Sequence, residues 1–335
     1  MAFIIVMTAI IIAIIIVKSF NRPRRSALYH RELPSQLGVI EGEGFENIVT
    51  ALESSLTTSY IEQVKARMKK EYPHIQPHEL DWALFELKRY FVMNAILREV
   101  PMFSSKVDDV WHEMIMYTKD YEQFTTRFLG RFLHHQPNAD KTPTPQTNKR
   151  AFFDWVYAHL FDVKDNSRLL WGRFFQHPLD SEVINDFTHL SEDELLMKYF
   201  SSNEKWEEQK RKLIREFKDE IGHAATFKKE NPSHKFKKSA KEREFTHAVL
   251  FQAFMFYSIY EYEDYSYYMD ELLLRRPEQG DGGAYYSGYA CSSPIDDHPK
   301  HGHGGNDYHD SGFDSGGDSG SSCSSSSCGS GCGSS

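Results

Sequence analysis

Apolar residues between positions 45 and 276 recur every three or four residues, which is the spacing of a helix rather than of a strand. One such stripe follows Pro77, a residue type favoured in the first turn of a helix. Its members are Leu80, Leu84, Leu87 and Phe91. Few glycines interrupt this region: Gly130, Gly172 and Gly222. The pattern therefore predicts an all-α, multi-helix globular body over residues 45–276, hereafter the helical body.

A second amphipathic stretch runs from Asn203 to Gly222 and is charged on nearly all of its other face. Its apolar stripe consists of Trp206, Leu213, Phe217 and Ile221. We expect this helix to stop at Gly222, because glycine commonly follows the last turn of a helix. Prolines at 143 and 145 predict a loop between two helical groups, with a sub-boundary near residues 138–147.

The segment from Glu99 to Pro137 places polar residues beside a helical stripe. Ser105 and Asp108 have the spacing of a capping box, so we expect a helix to begin at Ser105. The buried face of this helix is expected to contain Val107, Val110, Trp111, Met114 and Ile115. Asp108 and His112 lie one turn apart beside that face, close enough for a carboxylate–imidazole contact.

A second helix is expected to follow, with an aromatic stripe of Tyr121, Phe124, Phe128 and Phe132. His135 falls on the same line and His134 points to one side of it. We expect the helix to end at Gln136-Pro137, which would place both histidines in its last turn.

These two helices contain enough imidazoles and carboxylates for a divalent metal such as zinc. The candidate ligands are His112, His134 and His135, with Asp108 or Glu113 as a fourth ligand or as an orienting residue. The metalloprotease pattern His-Glu-x-x-His is absent, because Met116 occupies the position of its second histidine. Adjacent residues on a helix diverge by about 100 degrees, so His134 and His135 do not easily share one ion.

The same residues have a structural interpretation. Asp108 would cap the first helix, His112 would pack against Asp108, and the histidine pair would lie at the negative end of the second helix dipole. Polar residues beside a core stripe more often serve such structural roles. The sequence leaves both interpretations open and favours the structural one.

Residues 1–17 are apolar apart from Thr8, and the basic residues Lys18, Arg22, Arg24 and Arg25 follow directly. As a helix this run would span about 25 Å, and flanking Lys18 and Phe20 can extend it toward the ~30 Å hydrocarbon core. A signal peptide would place its positive charge before the apolar run and a small-residue cleavage site after it. The pattern predicts a single-pass membrane anchor over residues 1–20, with the helical body in the cytoplasm.

The remaining segments differ from the helical body in composition. Residues 21–44 are expected to form a basic juxtamembrane linker that contacts anionic lipid. Residues 277–335 hold 14 of the 20 glycines and all four cysteines, together with many serines and several histidines. Such a segment cannot bury a core, so we expect a disordered tail. The net charge of −9 argues against a nucleic-acid-binding protein.

Three short motifs lie within residues 80–140: Val107-Asp-x-x-Trp-His112, Thr118-x-x-Tyr121-x-x-Phe124 and Gly130 followed by His134-His135-x-Pro137. Together with the Gly/Ser/Cys-rich tail, they resemble the bacterial branch of the glycine-rich domain-containing-protein-like family. The resemblance implies a type of domain and implies no particular reaction.

Several enzyme classes lose support because their motifs are missing. The chain has no Gly-x-x-x-x-Gly-Lys phosphate loop, no Gly-x-Gly-x-x-Gly turn and no Gly-x-Ser-x-Gly elbow. Our first hypothesis is a membrane-anchored, cytosol-facing interaction or scaffold protein that binds an unidentified protein partner; the sequence does not settle whether the chain is an enzyme and leans against it. The alternative is a metal-dependent enzyme or metal-handling protein that uses His112 with His134 or His135. The alternative requires imidazole nitrogens that converge on one point.

Overall fold

Helices account for all regular elements among the residues that the computed structural model describes, which are 28–135, 147–230 and 247–273. This confirms the all-α prediction for the described residues, whose only β contacts are the isolated bridges Val39–Phe161 and Leu97–Phe200. The helices are α1 Glu46–Ser55, α2 Thr58–Glu71, α3 Pro77–Ile96, α4 Ser105–Ile115, α5 Thr118–Leu129, α6 Thr147–Leu160, α7 Asp165–Trp171, α8 Ser181–His189, α9 Glu192–Tyr199, α10 Glu207–Glu230, α11 His247–Tyr260 and α12 Tyr265–Leu273.

Helix α3 lies at the centre of one half of the fold and packs against α1, α4, α5 and α7. Its first turn begins with Pro77, as expected, and the Glu79 carboxylate accepts a hydrogen bond from the Gln76 backbone N–H at 3.1 Å. The predicted stripe is buried, and so is most of the rest of the helix. Helix α3 is therefore surrounded by other elements.

Helix α10 organises the other half and packs against α8, α9 and α11. The prediction that it stops at Gly222 is wrong, because the helix continues to Glu230. A glycine inside a helix costs only about 1 kcal/mol relative to alanine. Burial of Ala224 and partial burial of Phe227 continue the apolar stripe beyond the glycine and outweigh that cost.

A fully buried carboxylate joins helices from both sides of residues 138–147. Glu86 of α3 accepts hydrogen bonds from Ser167 Oγ at 2.7 Å, from Tyr157 OH at 2.5 Å and from Trp171 Nε1 at 2.8 Å. Arg89 lies one turn further along α3 and donates to Glu86 Oε1 at 3.3 Å. Glu86 thereby connects α3 with α6 and α7. The sub-boundary itself stays a prediction, because residues 138–146 lie outside the described part of the chain.

The segment before α1 is bound to the helical body rather than forming a free linker. Within 28–44 the side chains of Leu28, Leu37 and Val39 are buried. The Leu37 carbonyl accepts a hydrogen bond from Arg89 Nε at 2.8 Å. Residues 28–44 therefore pack against the helical body, whereas the expected linker boundary at residue 44 stays a prediction, because residues 21–27 lie outside the described part of the chain.

None of the helices in the described residues has the length and apolar character that a membrane span requires. The predicted anchor over residues 1–20 and the predicted tail over residues 277–335 lie outside the described residues, and both stay predictions.

Candidate metal centre

Helix α4 begins with a side-chain cap. The Ser104 hydroxyl accepts a hydrogen bond from the Val107 backbone N–H at 3.3 Å, so Ser104 is the cap, one residue earlier than the sequence predicts. Val107, Val110 and Trp111 are buried as expected. Asp108 and His112 lie beside this face, one turn apart.

Helix α5 ends at Leu129, where Gly130 adopts the left-handed conformation with φ of 73°. The prediction that this helix continues to Gln136-Pro137 is therefore wrong. Glycine adopts a positive φ without the clash that a Cβ atom causes, and it commonly ends a helix in this way. His134 and His135 consequently lie beyond the helix, on a segment that leads back toward α4.

Two aromatic residues hold this returning segment in place. Trp111 Nε1 donates a hydrogen bond to Tyr121 OH at 3.0 Å, and Tyr121 OH donates to the Leu133 carbonyl at 2.8 Å. The His135 ring stacks on the Trp111 indole, with 4.2 Å between ring centroids and 22° between planes. The position of the His135 imidazole is therefore fixed by buried groups of α4 and α5.

Three ligand-type side chains converge at this point: Asp108, His112 and His135. The Nε2 atoms of the two histidines are 2.8 Å apart, and His135 Nε2 is 3.0 Å from Asp108 Oδ1. One ligand atom from each residue lies within 4.8 Å of the others. Donor atoms around a tetrahedral zinc ion are about 3.3 Å apart, as follows from Zn–N bonds of about 2.0 Å. The two contacts of His135 Nε2, at 2.8 and 3.0 Å, are slightly shorter than this spacing, and the limit of 4.8 Å for the whole set is longer, so an ion would need small adjustments of these side chains in both directions.

The electrostatic environment favours the neutral form of His135. Burial lowers the pKa of His135 because it disfavours the charged imidazolium; the Asp108 carboxylate opposes this effect, and His112 adds to it. Neutral imidazole is the form that binds metal. The Oδ1 atom of Asp108 is buried, and the contact that it makes is the one with His135 Nε2 at 3.0 Å, which lacks hydrogen-bond geometry. A bound cation would compensate this oxygen.

The other two predicted ligands do not join the cluster. The His134 side chain is exposed and its ring packs edge-on against Phe132, with 4.8 Å between ring centroids. The Glu113 carboxylate forms an ion pair with the Arg67 guanidinium of α2. The structure thus brings together Asp108, His112 and His135 out of the five predicted residues.

A cleft that the sequence does not indicate has a volume of about 580 Å³. Its apolar lining comes from Leu97, Val100, Phe152, Phe153 and Val183. Two ion pairs also line it: Lys149 Nζ lies 2.5 Å from Glu99 Oε1, and Lys198 Nζ lies 2.9 Å from Glu182 Oε1. These residues come from separate elements, so no local spacing could have grouped them.

Comparison with known proteins gives one similarity. A family model described as UCP032817-like matches residues 51–169, about a third of the chain. The three clustered ligands lie within that range. No curated protein matches the chain, and no solved structure matches it.

Proposed function

We propose that the protein binds one divalent transition-metal ion, zinc in the first instance, through Asp108, His112 and His135. The observation that carries this proposal is the convergence of one carboxylate oxygen and two imidazole nitrogens within 4.8 Å of one another. Imidazole and carboxylate are both established zinc ligands.

Two further features support this function over a purely structural role. Ser104, rather than Asp108, provides the side chain that caps α4, which leaves the Asp108 carboxylate for His112 and His135. The stacking of His135 on Trp111 holds one ligand in place before metal binds. A site held by packed aromatic groups loses little conformational entropy on binding.

The test is metal content by elemental analysis of the purified full-length chain and of three single variants. We expect one zinc ion to be lost in His112→Ala and in His135→Ala. The matched control is His134→Ala, which should keep the ion because this neighbouring side chain lies outside the cluster. The tail is the same in every variant, so any metal on its histidines and cysteines cancels in the comparison.

Equal metal content in His135→Ala and His134→Ala would contradict the proposed site. Circular dichroism of each variant separates loss of a ligand from loss of the fold, since the exposed position of His112 predicts unchanged helicity in its variant.

A second candidate function is the interaction protein that the sequence favours, anchored in the membrane by residues 1–20 with its body in the cytoplasm. The cleft supports it, because an apolar lining with charged groups at its edge is typical of a binding surface. Cations and carboxylates are both present, so we propose a short peptide segment that carries an apolar side chain between charged residues.

Selection from a displayed library of short peptides tests this second function. Peptides with a shared apolar-and-charged pattern should be enriched on the unchanged chain and lost on Val183→Trp, which fills the cleft. Enrichment that is equal on both proteins, or no shared pattern, would argue against the cleft as a peptide site.

We also retain, as a proposal, the resemblance to the bacterial branch of the glycine-rich domain-containing-protein-like family. The segment that carries it, 80–140, lies inside the range matched by the family model.

A further inference from the structure

We infer that a metal ion at this site keeps one exchangeable coordination position open to solvent, which takes water and is competed for by small anions. This inference rests on the proposed function. It concerns the reactivity of the site rather than its existence.

The number of protein ligands is the first argument. Structural zinc sites use four protein ligands, whereas reactive sites use three and leave the fourth position to water or substrate. Among residues 28–135, 147–230 and 247–273, the cluster contains only Asp108, His112 and His135. No fourth histidine, cysteine or carboxylate of these residues meets the same distance condition.

The neighbouring carboxylates and imidazole are engaged elsewhere. Glu113 pairs with Arg67. Asp109 is partly buried, and its carboxylate interacts with the Tyr72 hydroxyl. His134 is exposed and packs against Phe132. Each of these groups would have to give up its present contact in order to complete a four-ligand site.

The exposure of the three ligands gives the direction of the open position. The His135 side chain is 8% exposed and lies on the Trp111 ring, whereas that of His112 is 45% exposed. The Asp108 side chain is intermediate, at 24%. The protein therefore covers the His135 side of the site and leaves the His112 side open to solvent.

The charge of the metal with its three protein ligands determines which molecules would take the open coordination position. A metal held by two neutral imidazoles and one carboxylate keeps a net positive charge, so it binds water, hydroxide and small anions with oxygen or nitrogen donors. Zinc in such three-ligand sites lowers the pKa of bound water to about 7. The site would then hold a hydroxide nucleophile near neutral pH, accessible to substrates small enough to reach a solvent-facing ion.

Cobalt(II) substitution of the full-length chain tests the inference, because the visible spectrum of cobalt reports on its coordination. Azide is the probe anion. We expect a saturable change in the visible bands as azide replaces water, with one azide per clustered cobalt. The same titration of His135→Ala gives the contribution of cobalt bound elsewhere, including on the tail, and is subtracted.

Stoichiometric cobalt in the cluster with bands that do not respond to azide would overturn the inference while leaving the proposed metal site intact. If His134 is a fourth ligand, the azide response appears only in His134→Ala, which also overturns it. Failure of both zinc and cobalt to bind at Asp108, His112 and His135 overturns the proposed function itself. The two failures are therefore distinguishable.

Discussion

At the scale of single residues, the backbone at Gly130 decides where His135 lies. Its positive φ ends α5 and turns the chain so that His135 reaches His112. An L-residue in this conformation costs about 1–2 kcal/mol, because its Cβ atom approaches the following carbonyl oxygen. The conformation therefore depends on the absence of a side chain.

Gly130→Ala is expected to lower the free energy of unfolding by about 1–2 kcal/mol and to weaken zinc binding. A Cβ atom at position 130 would lie 3.7 Å from Asn203 Nδ2, an ordinary contact, so the cost is conformational rather than steric. Urea denaturation measures the first effect and zinc titration the second.

The matched control is Gly222→Ala, which adds the same methyl group inside α10. A Cβ atom there meets nothing within 4 Å, so we expect a gain of up to about 1 kcal/mol from helix propensity. A loss at both positions, or at neither, would contradict this account of Gly130.

His159 is a buried imidazole with hydrogen-bond acceptors at both nitrogens. Its Nδ1 lies 2.8 Å from the Trp155 carbonyl oxygen, and its Nε2 lies 3.0 Å from Glu220 Oε1. A neutral imidazole has a single N–H, so a proton is held between His159 and Glu220. Burial alone would lower the pKa of His159, but the hydrogen bond to Glu220 and the charge of that carboxylate raise it overall.

This raised pKa predicts a pH-dependent stability. The folded state binds the proton more tightly than the unfolded state, so the contribution is complete below the unfolded pKa of about 6.5. It is lost as the pH rises through the higher folded pKa. Urea denaturation across this range should show the decline in the unchanged chain and its absence in Glu220→Gln.

His189→Gln is the control for the histidine content of the chain, because His189 is exposed and its Nδ1 lies 2.9 Å from the carbonyl oxygen of Asn185 on the same helix. Its pH profile should follow that of the unchanged chain. A Glu220→Gln variant with the same decline would show that another group is responsible.

At the scale of elements, the sequence predicted α3 well because Pro77 and an uninterrupted stripe define it. The sequence-based prediction of helix ends was wrong at two glycines. Gly130 ends α5, where the sequence predicted that the helix continues, and Gly222 lies inside α10, where the sequence predicted an end. After Gly222 the stripe continues into buried Ala224, whereas after Gly130 the next stripe residue, Phe132, is 38% exposed. Tertiary packing decides between these outcomes, and local spacing does not contain that information.

The sequence also predicts one part of the candidate site and not the other. Helical spacing alone predicts the neighbourhood of Asp108 and His112, because both lie on α4. The approach of His135 depends on the path of the chain after Gly130 and on the Tyr121–Leu133 hydrogen bond. For that reason the sequence could include His135 among its candidates but could not separate it from His134.

Helices α3, α6 and α7 share the buried Glu86–Arg89 pair, both members of which are 0% exposed. The Arg89 guanidinium also lies 4.4 Å from the Phe85 ring centroid and donates to the carbonyls of Leu37 and Asp162. Removal of one partner would leave a buried charge without compensation.

Arg89→Met is expected to lower the free energy of unfolding by about 3–5 kcal/mol, the cost of breaking a buried ion pair. The double variant Glu86→Gln/Arg89→Met should lose less than the sum of the two single variants, because the second change removes the uncompensated carboxylate. Urea denaturation of the three variants gives the coupling energy. If the loss of unfolding free energy in the double variant equals the sum of the two single losses, Glu86 and Arg89 do not stabilise the fold as a pair.

At the scale of the whole molecule, zinc binding should stabilise the fold. A ligand that binds only the folded state adds about 2.7 kcal/mol at a free concentration about 100 times its dissociation constant. The melting temperature of the unchanged chain and of His134→Ala should therefore rise with added zinc. A similar rise in His135→Ala would place the stabilising ion elsewhere.

The predicted anchor makes a separate prediction about the whole chain. Deletion of residues 1–20 should move the protein from the membrane fraction to the soluble fraction, because the remaining basic flank gives only weak, salt-sensitive attraction to anionic lipid. Fractionation at low and high salt measures this. Unchanged partition after the deletion would contradict a membrane anchor at the N-terminus.

The turn at Gly130 also makes the ligand set recognisable without any structure. All three proposed ligands come from one continuous stretch, 108–135. The corresponding search pattern is Asp-x-x-x-His, followed by a helix that ends in glycine, with a histidine five positions after that glycine. A sequence that keeps both histidines but carries a β-branched residue in place of the glycine should not assemble the centre, which makes the glycine as diagnostic as the ligands.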